Sequence, residues 1–168
     1  MSHPYKTRSG GATVTIFVPY DCRNHCPFCI NKKEYADCTG FRVEAILRSI
    51  AVMDAITPEC DFVFTGGEPF AQLGDLQRML DVIPGTHKVY INTTFPVQPG
   101  CSAEEMIDFT RRNADKITCI NVSRHLQRYV EESPDEVVAA IATPKRINCV
   151  LYKNYPADKL TEYVERWR

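Results

Sequence analysis

The chain is expected to fold as an α/β protein, a parallel sheet with helices outside it, in a single domain over 1–168. Three observations predict this. Short apolar runs of strand length alternate with segments of helical periodicity, five times in strict order. A length of 168 residues suits one domain with its own core. Hydrophobic residues make up 44% of the chain and charged residues 24%, an ordinary globular composition.

The elements follow in order. An alternating Thr-Val-Thr-Ile segment gives a first strand over 12–18, ahead of a cysteine-rich loop. Val43, Ile46, Leu47, Ile50, Ala51 and Met53 stand at helical spacing and predict a helix over 42–56. "CDFVFT" (60–65) reads as a buried strand, with a helix over 73–82 after it. "KVYIN" (88–92) is a strand, and Ser102 with Glu105 forms a capping box for the next helix. "KITCINV" (116–122) is a strand, followed by a helix with Ser133 as cap and Pro134 at its first position. "RINCVL" (146–151) is apolar enough to be a buried strand, and a last helix starts near Ala157. Its Leu160, Tyr163, Val164 and Trp167 form a stripe expected to pack beside that strand and cover part of its edge.

Strand–helix units of this kind are right-handed, and ligands collect at the C-terminal ends of the strands. The cysteine loop, "TGGEP", "NTTF" and "SRH" all follow strands, so the unusual polar chemistry falls on one rim.

Charge and composition exclude several functions. The formal net charge is -1, without the basic field that nucleic-acid binding needs, and no stretch approaches transmembrane length. "MSHPYKTRSGGATVTIFVPY" lacks the plan of a signal peptide, so the expected location is the cytoplasm. In that reducing setting clustered cysteines more often bind metal than form disulfides.

Cys22, Cys26 and Cys29 stand at spacing C-x3-C-x2-C. Three thiolates on one loop can converge on a soft centre. A structural zinc site needs a fourth ligand, which Cys38 or His25 could supply. An iron–sulfur cube held by three thiolates would leave one iron open. Spacing alone leaves both readings open, and free cysteines as well. Cys60, Cys101, Cys119 and Cys149 are scattered.

A second motif, "FTGGEPF" (64–70), ends the next strand, where its loop would face the cysteines. Gly66 and Gly67 allow a sharp turn and close approach of backbone to a ligand. Glu68 offers a carboxylate to a cationic amine, and Pro69 stiffens the exit.

Together, "CRNHCPFC" and "TGGEP" resemble the radical S-adenosylmethionine (radical SAM) enzyme superfamily over nearly the whole chain. The resemblance implies a partial, open parallel β/α barrel of about five to six strand–helix units. It implies that Cys22, Cys26 and Cys29 hold three irons of a 4Fe-4S cluster and that S-adenosyl-L-methionine chelates the fourth. Phe28 would border the adenine, partly through its backbone, and Gly66, Gly67 and Glu68 would receive the methionine amino group. "INVSRH" (120–125) is similar to the family's fourth strand, where Ser123 would bond the ribose. "KRINCVL" (145–151) is similar to its fifth, where Asn148 would touch the cosubstrate.

The implied reaction is reductive cleavage to a 5′-deoxyadenosyl radical, which takes hydrogen from a small-molecule or peptide substrate. An electron donor such as flavodoxin or ferredoxin would serve it. A glycyl-radical-enzyme activase of the same superfamily is the alternative, and a zinc-binding module the alternative of another class. Arg23, His25, Lys32, Lys33, Tyr35, Asn92, Arg124 and His125 lie near the expected rim. Of these His125 is the candidate catalytic residue, as a proton donor or ligand contact. Family cores typically have six units and five are read here, so the core is minimal or continues in residues beyond this chain. The open side would admit a large substrate or a partner protein.

Overall fold

The computed structural model describes residues 12–18, 22, 24, 26–29, 41–57, 59–97, 101–125, 133–151, 155 and 157–168. Strand β1 (Thr13–Val18) precedes helix α1 (Val43–Ile56) and β2 (Asp61–Gly66). A 3-10 turn (Pro69–Gln72) runs into α2 (Leu73–Asp81), and β3 (Lys88–Thr93), α3 (Ala103–Arg112) and β4 (Cys119–Ser123) follow. Helix α4 (Asp135–Ala139), β5 (Lys145–Asn148) and α5 (Ala157–Arg166) complete the described elements.

The five strands form one parallel sheet in the order β1-β2-β3-β4-β5. With strands in chain order and right-handed crossovers, every helix falls on the same face. Burial follows the strand period of two. Phe62, Phe64, Val89, Ile91, Ile120 and Val122 are fully buried under the helices, against Leu76, Met79, Met106 and Phe109. The alternate residues, Val63, Thr65, Tyr90, Asn92, Asn121 and Ser123, are half-buried on the other face. One covered face and one open, polar face are consistent with a partial, open barrel.

Local signals explain the element ends. Helix α3 carries the capping box: Ser102 Oγ accepts from Glu105 N–H, and Glu105 accepts from Ser102 N–H. Helix α4 departs from expectation. Pro134 is extended (φ -54°, ψ 149°) and is itself the N-cap, so the helix begins at Asp135. The Ser133 hydroxyl is buried and makes no cap bond among the described residues. Lys145 Nζ donates to the carbonyls of Ala139 and Ile141, where the helix ends.

Two strands differ from their predicted spans. Lys116 and Ile117 donate backbone N–H groups to the Asn113 carbonyl, closing the turn after α3, so β4 starts only at Cys119. Strand β5 is short and largely exposed rather than buried, because it is the sheet edge and carries Lys145 and Arg146. Val150 N–H donates to the His125 ring instead of extending the ladder, and Val150 and Leu151 are exposed.

The stripe on α5 is narrower than its spacing suggests. Tyr163 is buried and Trp167 packs against the core, and both line a groove with Lys145 and Ile147 of β5. Val164 is 55% exposed. Leu160 is half-buried and Val164 lines the outer edge of the same groove, so the helix packs beside β5 chiefly through Tyr163 and Trp167.

Candidate functional site

Strand ends place the site. Cys22, Asn24, Cys26, Phe28 and Cys29 follow β1, Gly66, Gly67 and Glu68 end β2, Thr93 and Thr94 end β3, and Ser123 and His125 end β4. All of them line one cavity of about 300 Å³, with Thr65, Asn92 and Val150 completing its wall.

Gly66 is where the backbone needs glycine. Its φ is +116°, and a Cβ there would stand 2.5 Å from the Val18 carbonyl oxygen and 2.7 Å from Val18 N. Gly67 N–H then donates to the same carbonyl at 2.7 Å. The turn is thus locked to the end of β1, from which the cysteine loop departs.

Glu68 is 1% exposed, and its carboxylate is held on both oxygens. Oε1 accepts from Phe70 N–H at 3.1 Å, capping the 3-10 turn, and from the Thr93 hydroxyl. Oε2 accepts from Thr94 N–H at 3.1 Å and the Thr94 hydroxyl at 3.2 Å. Burial raises the Glu68 carboxyl above its ordinary value, and these bonds work against that rise. Phe95, next in the chain, holds φ 53°, a strained value for a bulky side chain. Its N–H donates to Thr93 Oγ1 at 2.7 Å, and its ring packs edge-on against Phe70 at 4.8 Å. The end of β3 is thereby bent around the carboxylate. Asn24 Nδ2 donates to Thr94 Oγ1 at 2.9 Å and ties the cysteine loop to the same network.

Cys22, Cys26 and Cys29 are all reduced thiols, Cys26 buried and the others half-buried. Cys29 N–H donates to the Cys26 carbonyl at 3.1 Å, a turn that brings both side chains to one side. Burial chiefly pushes the Cys22 thiol up to about 11; the Asn24 N–H opposes it, and Glu68, Cys26 and Cys29 add to the rise. Three thiols on one cavity beside a buried carboxylate favour a cationic centre, which would draw off their protons. Among the described residues no three His, Cys, Asp or Glu side chains are grouped closely enough to hold a single metal ion. The donor set, three cysteines on one open cavity, fits a cluster with one iron left to another ligand.

The remaining rim residues separate by strand alternation. His125 is buried in the lining; its ring meets Phe28 edge-on at 4.8 Å, and its Nδ1 accepts from Val150 N–H at 3.2 Å. Burial lowers its proton affinity, and a ring that accepts at Nδ1 carries its proton on Nε2. Arg124, one residue earlier, turns to the helix side instead. It is 1% exposed, bonds Asp135 at 3.3 Å and lies 5.3 Å from the centre of the Trp167 ring. Arg166 also bonds Asp135, so this group fastens α4 and α5 to the sheet.

Asn148 is exposed at the end of β5 and does not line the cavity; its carbonyl accepts from Arg124 N–H at 2.7 Å. Arg23, His25, Lys32, Lys33, Tyr35 and Cys38 lie outside the described residues. Asn24, Thr65, Thr93, Thr94 and Val150 were not among the expected site residues. "NTTF" beside "TGGEP" was the available signal, since two hydroxyls at the adjoining strand end can hold a buried carboxylate.

Among the described residues no helix is long and apolar enough to cross a membrane. Neither a curated protein nor a solved structure matches the chain. The model of a family described as a 4Fe-4S single cluster domain matches residues 9–138, which include the cysteine loop, the glycine turn and the first four strands. The chain therefore belongs to the 4Fe-4S single cluster domain family.

Proposed function

We propose that this protein is a radical S-adenosylmethionine enzyme acting on a small molecule or peptide. The observation that carries the reading is that Gly66, Gly67 and Glu68 line the same cavity as Cys22, Cys26 and Cys29. When bound, a 4Fe-4S cluster would supply one electron to the sulfonium of S-adenosylmethionine, giving methionine and a 5′-deoxyadenosyl radical able to take hydrogen from an unactivated carbon.

The residues of the chain prepare that chemistry. Cys22, Cys26 and Cys29 would hold the cluster, and as only three thiolates they would leave it able to bind the cosubstrate. Glu68, fixed by Thr93 and Thr94, presents a carboxylate whose charge is stabilised when an ammonium group arrives. Phe28, braced by His125, borders the adenine, and Ser123 reaches the ribose. His125 offers an Nε2 proton at the cavity wall. Asn148 stands exposed at the end of β5, outside the residues that line the cavity. An electron donor such as flavodoxin or ferredoxin, in a reducing cytoplasm, would serve the site.

The test is anaerobic incubation of the reconstituted protein with dithionite and S-adenosylmethionine. Formation of 5′-deoxyadenosine and methionine, lost in Cys26→Ala, is the expected result. A protein that retains iron and sulfide but never yields 5′-deoxyadenosine would contradict the proposal.

A further inference from the structure

The open face of the sheet carries a polar row that the proposed cluster chemistry does not use. Asn92, Asn121 and Arg146 are register partners on β3, β4 and β5. Thr65 and Asn92 each follow the last registered pair of β2 and β3, Phe64 with Ile91. Register partners on parallel strands point to the same face. The four residues therefore stand side by side, and Thr65 and Asn92 reach into the cysteine cavity.

The hydrogen bonds within the row leave donors over. Asn121 Nδ2 donates to Asn92 Oδ1 at 2.8 Å, and Cys119 Sγ lies 3.9 Å from Asn121 Oδ1. The acceptors of both amides are thus engaged. Asn92 Nδ2, with two N–H groups, and the Thr65 hydroxyl have no protein partner among the described residues. Arg146 makes no ion pair there either. It stands exposed at the end of the row, near enough to Cys119 to lower a thiol that burial raises more. A row rich in donors and short of free acceptors, with one unpaired guanidinium, is built for an anionic, oxygen-bearing ligand.

We infer that this row binds the reacting molecule, through a carboxylate at Arg146 and a carbonyl or hydroxyl oxygen at Asn92 and Thr65. This deepens the function proposed above and rests on it. Two strand spacings separate Asn92 from Arg146, roughly 10 Å at the backbone. The long arginine side chain shortens that gap, so the span suits an amino-acid or dipeptide derivative, or the C-terminus of a peptide. The carbon beside the Asn92 contact then lies next to the cavity.

The probes are N-acetyl amino acids and N-acetyl dipeptides, each paired with its C-terminal amide. Binding to the reconstituted wild-type protein is read by ligand-observed NMR, beside Arg146→Gln, Asn92→Leu and the control Arg48→Gln, a change on the outer face of α1. The acids should outbind their amides in wild type, by about tenfold for a charge-assisted contact. Arg146→Gln should erase that preference, Asn92→Leu should weaken acid and amide alike, and Arg48→Gln should change neither. Equal binding of acid and amide, an unaltered preference in Arg146→Gln, or no binding of any probe to wild type would overturn the inference. Formation of 5′-deoxyadenosine, measured in parallel, separates the two claims. Acid-selective binding without cosubstrate cleavage would refute the radical reaction and leave the carboxylate site standing.

Discussion

Replacing Gly66 by alanine strikes the point where β1, β2 and the cavity meet. The added Cβ would lie 2.5 Å from the Val18 carbonyl oxygen and 2.7 Å from Val18 N, and both are backbone atoms of a paired strand. No side chain can swing aside, so one strand must shift. The φ of +116° adds strain of about 1–3 kcal/mol for a residue bearing a Cβ. Forcing extra volume against packed backbone costs roughly 1–3 kcal/mol more. A combined loss of about 4 kcal/mol should lower the Tm by roughly 8–16 °C for a chain of this size. It is also a large share of the 5–15 kcal/mol that typically stabilises a domain. Urea denaturation followed by circular dichroism gives the free energy directly. Gly74→Ala serves as the internal control, because nothing lies within 4 Å of its added Cβ and α2 gains helix propensity. If Gly66→Ala lost less than about 1 kcal/mol, a figure ordinary for any substitution, the close approach of β2 to β1 would not be as described.

Three further outcomes are expected. Single replacement of Cys22, Cys26 or Cys29 by Ala should abolish retention of iron and acid-labile sulfide, whereas Cys38→Ala should retain both; equal loss in Cys38→Ala would restore a closed four-cysteine site. Asp135→Ala should destabilise the protein by about 2–3 kcal/mol, because it removes a carboxylate bonded to both the buried Arg124 and Arg166; a change within about 0.5 kcal/mol would remove that group from the fold's support. His125 has its proton affinity lowered by burial, so the unfolded chain takes up that proton first as pH falls. Stability should therefore decline from about pH 6.5 down to the lower folded value, with no further loss through this group below it. His125→Gln should flatten that stretch of the stability–pH curve, and an unchanged slope would speak against a neutral, buried ring.

Much of the fold was legible because its strands are apolar runs and its helices periodic. The ends of β4 and β5 were not, since they depend on partners distant in sequence. The turn at Asn113 claims Lys116 and Ile117, and the His125 ring takes the Val150 N–H. Apolar content also misread "RINCVL": β5 is an edge strand of only four residues, two of them Lys145 and Arg146, and its apolar Val150 and Leu151 lie beyond it, exposed. In the site, the cysteines and the glycine turn could be brought together from their places after successive strands. What the alternation of side chains decides was harder to see. Arg124 and His125 both ended a strand, yet one anchors α4 and α5 and the other faces the cavity. The hold of Thr93 and Thr94 on Glu68 needed the bend at Phe95, a backbone state that no sequence pattern here announces.

Electron paramagnetic resonance of the reduced, reconstituted protein tests most directly whether the three cysteines leave a corner open for S-adenosylmethionine. Adding the cosubstrate should change the g-values of the cluster signal, because its amino and carboxylate groups would bind iron next to Glu68. The same addition should leave the signal of Gly67→Val unaltered, since a branched side chain there would fill the space for close backbone approach. A wild-type spectrum identical with and without the cosubstrate would contradict an open corner in this cavity.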